Sequence, residues 1–127
     1  MSFFGWANRA VESTTLGVQV TLSTDTLLAE VDLNGTNATV PRNGQVWGVT
    51  WILASPTTNA IFLLDHALST GTLNSTGLRN QTVVAVSSAQ SAQFYTKHNV
   101  EVGDRFRVRI ASSVVSAAAK IIAEPLT

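Results

Sequence analysis

The sequence predicts an all-β chain, a single β-sandwich or jelly-roll-like domain of about eight strands with an extended N-terminal arm. Three observations carry that expectation. Residues 100–110, VEVGDRFRVRI, alternate strictly after a Gly103-Asp104 turn, with Phe106, Val108 and Ile110 on one face and Arg105, Arg107 and Arg109 on the other. A period of two is that of a half-buried strand. Turn signals recur between short β-rich segments along the whole chain, as they do in sandwiches and barrels. Two segments, 45–54 and 60–68, are apolar on both faces, as strands at the centre of a sheet or under a second layer are.

The 127 residues fit one domain, which we divide into an arm, residues 1–13, and the sandwich, residues 14–127. Eight Lys and Arg balance eight Asp and Glu, so no global field draws the chain to nucleic acid or an anionic membrane. Charged residues make up 13% of the chain, about half the usual share, and Ser and Thr carry the polar surface instead. Such a surface suits a protein that lies against other protein copies, and equally a neutral β protein with no such role. The absence of cysteine excludes disulfides and thiolate chemistry. The N-terminus has neither the basic region nor the apolar run of a signal peptide, and no stretch reaches the ~20 apolar residues of a membrane helix. We therefore expect synthesis in a cytoplasm. Asn-X-Ser/Thr triplets at Asn34, Asn37, Asn74 and Asn80 read as turn composition rather than glycosylation.

Taken in order, the arm comes first. Phe3, Phe4 and Trp6 supply three of the nine aromatics in a stretch shorter than the ~12–15 residues of a stable isolated helix. Aromatics at a terminus need a groove, either on their own domain or on a neighbour, and we lean to the neighbour because the later strands suffice for this domain's own core. Residues 15–22 (TLGVQVTL) alternate with Leu16, Val18, Val20 and Leu22 inward. In residues 26–33 the pattern puts Leu27, Ala29, Val31 and Leu33 on one face and Leu28, Glu30 and Asp32 on the other. Asn34-Gly35 and Pro41-Arg42-Asn43-Gly44 are turns, since Asn and Gly tolerate positive φ. In residues 45–54 (QVWGVTWILA), Trp47, Val49, Trp51 and Leu53 share one face and read as core.

Residues 60–68 (AIFLLDHAL) could form a short helix by composition, but Ile61, Phe62 and the neighbouring Trp-rich strand favour β. Residues 69–80 read as an exposed loop. Strands follow at 81–87, 92–98, 105–111 and 114–123. The Ala run in the last raises a helix alternative, set aside because a Ser112-Ser113 turn precedes it and its ends are β-branched. No fixed-period repeat points to a propeller or solenoid.

Catalytic chemistry has little to work with. Only His66 and His98 could serve as histidine bases, and no G-x-S-x-G elbow exists. Asp65 and His66 are adjacent, so in a strand they point to opposite faces and cannot form a dyad. We expect His66 to be a satisfied or exposed histidine. Glu30 and Asp32 could join Asp25 or Asp104 around calcium, but the dense oxygen-ligand loop of calcium sites is missing, and there is no phosphate-binding P-loop. We therefore expect no catalytic residue, cofactor or metal. Side chains two apart on a strand lie roughly 6.6–6.8 Å from each other, so Arg105, Arg107 and Arg109 repel unless neutralised, and Glu30 and Asp32 are the obvious complement. A charge ladder on a solvated face is the simplest reading. A docking surface for an acidic protein comes second, and nucleic acid third, because no Lys cluster surrounds the row.

Two segments, VPRNGQVWGVTWILAS and VEVGDRFRVRIASSVVSAAAKI, are similar in layout to small β-sandwich proteins of bacteriophage particles, the head-decoration or cement type. In these a "VP-x-G" lead-in precedes an aromatic strand, and a "V-x-x-GD" turn precedes a strand of alternating charges. The resemblance covers residues 39–123 as a pattern and transfers no functional residue. It implies a virion structural component that binds the major capsid protein or another virion protein, commonly as a homotrimer. The partner-binding candidates are then Phe3, Phe4 and Trp6, with Arg105, Arg107 and Arg109 as a second surface. Nucleic acid and membrane partners are not expected. A different class of reading is a carbohydrate- or receptor-binding module with Trp47, Trp51 or Tyr95 as stacking platforms.

Overall fold

The computed structural model describes residues 11–13, 26–33, 44–54, 58–68, 78–112 and 116–126. Among these residues all regular structure is strand: β1 (Val11–Glu12), β2 (Leu27–Asp32), β3 (Gln45–Ala54), β4 (Ala60–Leu68), β5 (Leu78–Val86), β6 (Ala92–Val100), β7 (Asp104–Ile110) and β8 (Ala118–Pro125). They form two four-stranded sheets ordered β1-β8-β3-β6 and β2-β7-β4-β5, and every neighbouring pair is antiparallel. Each successive strand changes sheet except β4 to β5. That interlocking of two Greek keys is a jelly roll.

The two segments apolar on both faces are central strands. β3 lies between β8 and β6, and β4 between β7 and β5. Inward-facing residues of both sheets form one core, in which Trp47, Val49, Trp51 and Leu53 of β3 meet Phe62 and Leu64 of β4 and Phe106, Val108 and Ile110 of β7. Trp47 and Trp51 are fully buried, which removes them as stacking platforms. The indole N–H of Trp47 donates to Gln45 Oε1 at 3.1 Å, and this bond explains a buried glutamine at the head of β3. Trp51 instead packs a tilted ring against Phe94, centroids 5.0 Å apart.

Four local expectations change. In β2, Leu27 pairs with Arg109 and Ala29 with Val108, so Leu28 is an extra residue in a register shift. A bulge of this kind re-aims side chains: Leu28 is fully buried while Leu27 is 37% exposed, the reverse of simple alternation. The expected 69–80 loop gives up Leu78, Arg79 and Asn80 to β5, where Leu78 pairs with Ala67 across another register shift. The last strand is displaced toward the C-terminus and carries no helix. At the other end of the chain, Val11 and Glu12 pair with Ala123 and Ile122, and the backbone N–H of Ile121 donates to Ser13 Oγ at 2.8 Å. The end of the stretch assigned to the arm is thus part of a sheet. The expected strand at 15–22 and the Asn34 and Asn74 turns lie outside the described residues.

Candidate functional site

Among the described residues, the buried charged side chains collect in two clusters, one on each side of the β2-β7-β4-β5 sheet. Asp104 organises the inner one. It ends the turn that opens β7: its N–H donates to Glu101 O at 3.0 Å, and Gly103 takes φ +92°, a left-handed conformation that glycine adopts without strain. The turn swings the Asp104 carboxylate under the sheet, where it is fully buried. There it accepts from His66 Nε2 at 2.8 Å, from Arg79 Nε at 3.1 Å and from the Glu101 N–H at 3.0 Å. Arg79 also reaches Glu101 Oε2 at 2.8 Å.

His66, from β4, and His98, from β6 in the opposite sheet, meet edge to face with centroids 5.0 Å apart, and both lie against Phe106 at 4.8 and 5.0 Å. Thr96 Oγ1 and His98 Nε2 share a hydrogen bond of 2.7 Å. Burial lowers the pKa of His66, opposed by the hydrogen bond and charge of Asp104. Burial, followed by the charge of His66, lowers that of His98 to about 4. Both rings are therefore neutral at pH 7 and act as packing elements with polar tips. The His–Asp pair is closed into the core against Phe106, with His66 3% and Asp104 0% exposed.

The outer cluster is built on Asp65, which points away from His66 as strand alternation requires. It too is fully buried. It accepts from Arg109 Nε at 2.6 Å and more distantly from Arg109 Nη2 at 3.4 Å, from Gln81 Nε2 at 2.9 Å, and faces Arg107 Nη2 at 3.7 Å. The register explains the set: Asp65 lies opposite Arg107 on one side and Gln81 on the other. Glu30 and Asp32 of β2 lie opposite Arg107 and Arg105, and Glu30 pairs with Arg105 at 3.6 Å. Asp65 and Glu30 thus pair with the three arginines, and Asp32 stands opposite Arg105 in the register. Burial and then Arg105 lower the Arg107 pKa, while Asp65 and Glu30 hold it up.

The cross-strand pairing with Glu30 and Asp32 is present as expected. The solvated face is not, because Arg107 and Arg109 are each only 2% exposed. Strand pattern alone pointed to Glu30 and Asp32 and missed Asp65, Gln81 and Arg79. Asp104 was legible as the end of a Gly-Asp turn, but it faces the core, on the opposite side of the sheet from Glu30 and Asp32, and cannot share a cation with them. Among the described residues no three His, Asp or Glu side chains form a metal-like group. Phe3, Phe4 and Trp6 lie outside the described residues.

Among the described residues, the other sheet presents one exposed aromatic, Tyr95. Tyr95 of β6 is half exposed and its ring lies over Gly48 of β3: a Cβ placed on Gly48 would overlap the Tyr95 hydroxyl and come within 2.8–2.9 Å of ring carbons. A glycine lets the ring lie flat on the sheet. Thr50 stands opposite Tyr95, and Lys97 opposite Gly48.

These features define a jelly-roll β-sandwich with internally neutralised polar clusters. No family model matches the chain, and no curated protein matches it in sequence. Among solved structures it is similar to the CBM22-1 xylan-binding domain from Paenibacillus barcinonensis, with TM-score 0.58 and 11% identity over 91% of this chain and 86% of that one. It is also similar to PRD1 vertex protein P5, with TM-score 0.51 and 13% identity over 94% and 98%. A third is a Clostridium thermocellum xylanase chain of CBM22-1 and GH10 modules complexed with xylohexaose, with TM-score 0.56 and 8% identity; the similarity covers 94% of this chain and 26% of that one. At these identities the likeness is one of fold.

Proposed function

We propose that this chain is a non-enzymatic structural protein of a virus particle, a capsid decoration or cement protein that binds an assembled shell and stabilises it. One observation carries the reading: the described residues form a jelly roll whose histidines and core-facing carboxylate are consumed in its own packing, and the sequence leaves a weakly charged surface suited to contact with other proteins. The end-to-end likeness to the PRD1 vertex protein, 94% of this chain against 98% of that one, supports it, as does the layout shared with phage head-decoration proteins. The partner is the major capsid protein or another virion protein, the location is the virion, and synthesis takes place in the host cytoplasm. Phe3, Phe4 and Trp6 make the principal contact, and the arginine row contributes mainly through Arg105, its most exposed member. The test is add-back: shells lacking the protein should gain resistance to heat when it is supplied, and residues 11–127 alone should fold yet fail to protect. Full protection by that truncated chain would remove the arm from the account.

A second reading has one specific observation in its favour, the flat, half-exposed Tyr95 ring over Gly48, on a fold shared with xylan-binding modules. As a saccharide platform, Tyr95 should bind xylohexaose in a calorimetric titration and lose it on Tyr95→Ala. No heat from the wild-type protein would end this reading for xylan.

A further inference from the structure

We propose that the edge of β5 that no described strand covers is a self-association edge, where a second copy of this chain pairs antiparallel about a two-fold axis. A strand at the edge of a sheet presents unpaired N–H and C=O groups that invite another strand, and natural proteins blunt such edges with charge, bulges or brevity. The four outermost strands among the described residues differ in this respect. Among the described residues, β1 offers Val11 and Glu12, the second of them charged and exposed. β2 carries the register shift at Leu27–Ala29 together with Glu30 and Asp32. β6 carries Lys97, which is exposed. β5 has none of these over its central and C-terminal part: residues 80–86, NQTVVAV, hold no charge, no proline and no glycine, and the register with β4 is regular from Asn80 to Val86.

The surface beside this edge is apolar. Val83 is 58% exposed, the most exposed of the large hydrophobic residues described, and Ile61 is 42% exposed. Ala85, which pairs with Ile61, is also exposed. A groove of about 240 Å³ between Ile61, Ala85, Val86 and Ser112 continues the patch to the end of the strand.

The chemistry selects the occupant. A two-fold centred on Val83 sets residues 80–86 against themselves, so that Val84 faces Thr82, Ala85 faces Gln81 and no charge meets another. An acidic or basic partner strand would bring charges to a neutral apolar edge and gain no counter-charge there. A second copy brings the same neutral strand and the same Val83–Ile61 patch, the self-complementarity that an isologous interface requires. Because both β5 edges are consumed in one contact, this pairing closes at two copies. It differs in that respect from the trimer implied by the phage resemblance, and it does not depend on the shell-binding reading.

The experiment is the native mass of the purified full-length chain across a concentration series, with amide hydrogen exchange read over β5. The expected species has twice the 13.5 kDa chain mass, and protection of residues 81–86 rises with concentration. Val83→Lys, a charge placed on an exposed position of the edge, should raise the dissociation constant at least about tenfold, as loss of a central interface contact does, and flatten the concentration dependence of exchange. Gln93→Lys on β6, the edge of the other sheet, should leave both unchanged. A mass that stays at one chain, or that reaches three, overturns the proposal. So does a dimer that withstands Val83→Lys with β5 amides no better protected than in the monomer. The exchange measurement on the wild-type chain decides the matter even where a variant folds poorly.

Discussion

Asp65 and Asp104 are one strand apart and 0% exposed, yet they do different work. Asp65 holds two arginines on the outer side of the sheet; removing one partner of a buried ion pair strands the other without compensation. Asp65→Ala should therefore destabilise the fold by about 3–5 kcal/mol, whereas Arg105→Ala, which breaks a partly exposed pair with Glu30, should cost about 1 kcal/mol or less. Urea titration of both variants checks the contrast, and equal losses would contradict it. On the inner side the histidines set a pH dependence. His98 is depressed from 6.5 to about 4 in the folded chain, so the unfolded chain takes up the proton first as pH falls. The stability that its neutral form confers is complete above pH 6.5 and is lost progressively down to about pH 4, on the order of 3 kcal/mol. His66 shifts in the same direction and adds to the loss. His98→Phe should flatten the denaturation midpoint between those pH values; an unchanged slope would show that the ring is not held neutral by burial.

The strands themselves were largely legible, because alternation and turn residues are local. The Trp-rich strand, β4 and the face of β7 that carries Phe106, Val108 and Ile110 all sit where the pattern puts them. The misreadings fall where a long-range contact overrides the local period. In β2 the doublet Leu27-Leu28 offered two registers, and pairing with β7 chose the bulged one. The start of β5 was hidden among loop-forming residues because Leu78 joins the sheet only through Ala67. The partners within each polar cluster were not legible for the same reason: Arg109 meets Asp65 across 44 positions and His66 meets Asp104 across 38, distances that no strand pattern encodes. At this scale the Glu101–Asp104 turn is the testable element. Gly103→Ala places a side chain at φ +92° and should cost about 1–2 kcal/mol. It should also loosen the Asp104 hub, raising amide exchange at Glu101 and at the start of β7. A variant as stable as wild type would mean that the turn can change type freely.

At the scale of the molecule, the described residues form a jelly roll that closes two polar clusters into its packing and leaves the β5 edge and the Tyr95 ring facing outward. Low charge and abundant hydroxyls were visible in composition alone, as was the lack of a catalytic motif. Which surfaces stay open was not, since the arginine row looked exposed by alternation and is buried by packing. The central claim is that the chain acts as a bound component of an assembled shell. The most direct measurement is its distribution in a density gradient of particles purified from the host that makes it, quantified against the major capsid protein. The account predicts co-banding with intact particles at a fixed ratio to the capsid subunit, with release when the shell is dissociated. Free protein at the top of the gradient, with none in the particle band, would contradict it.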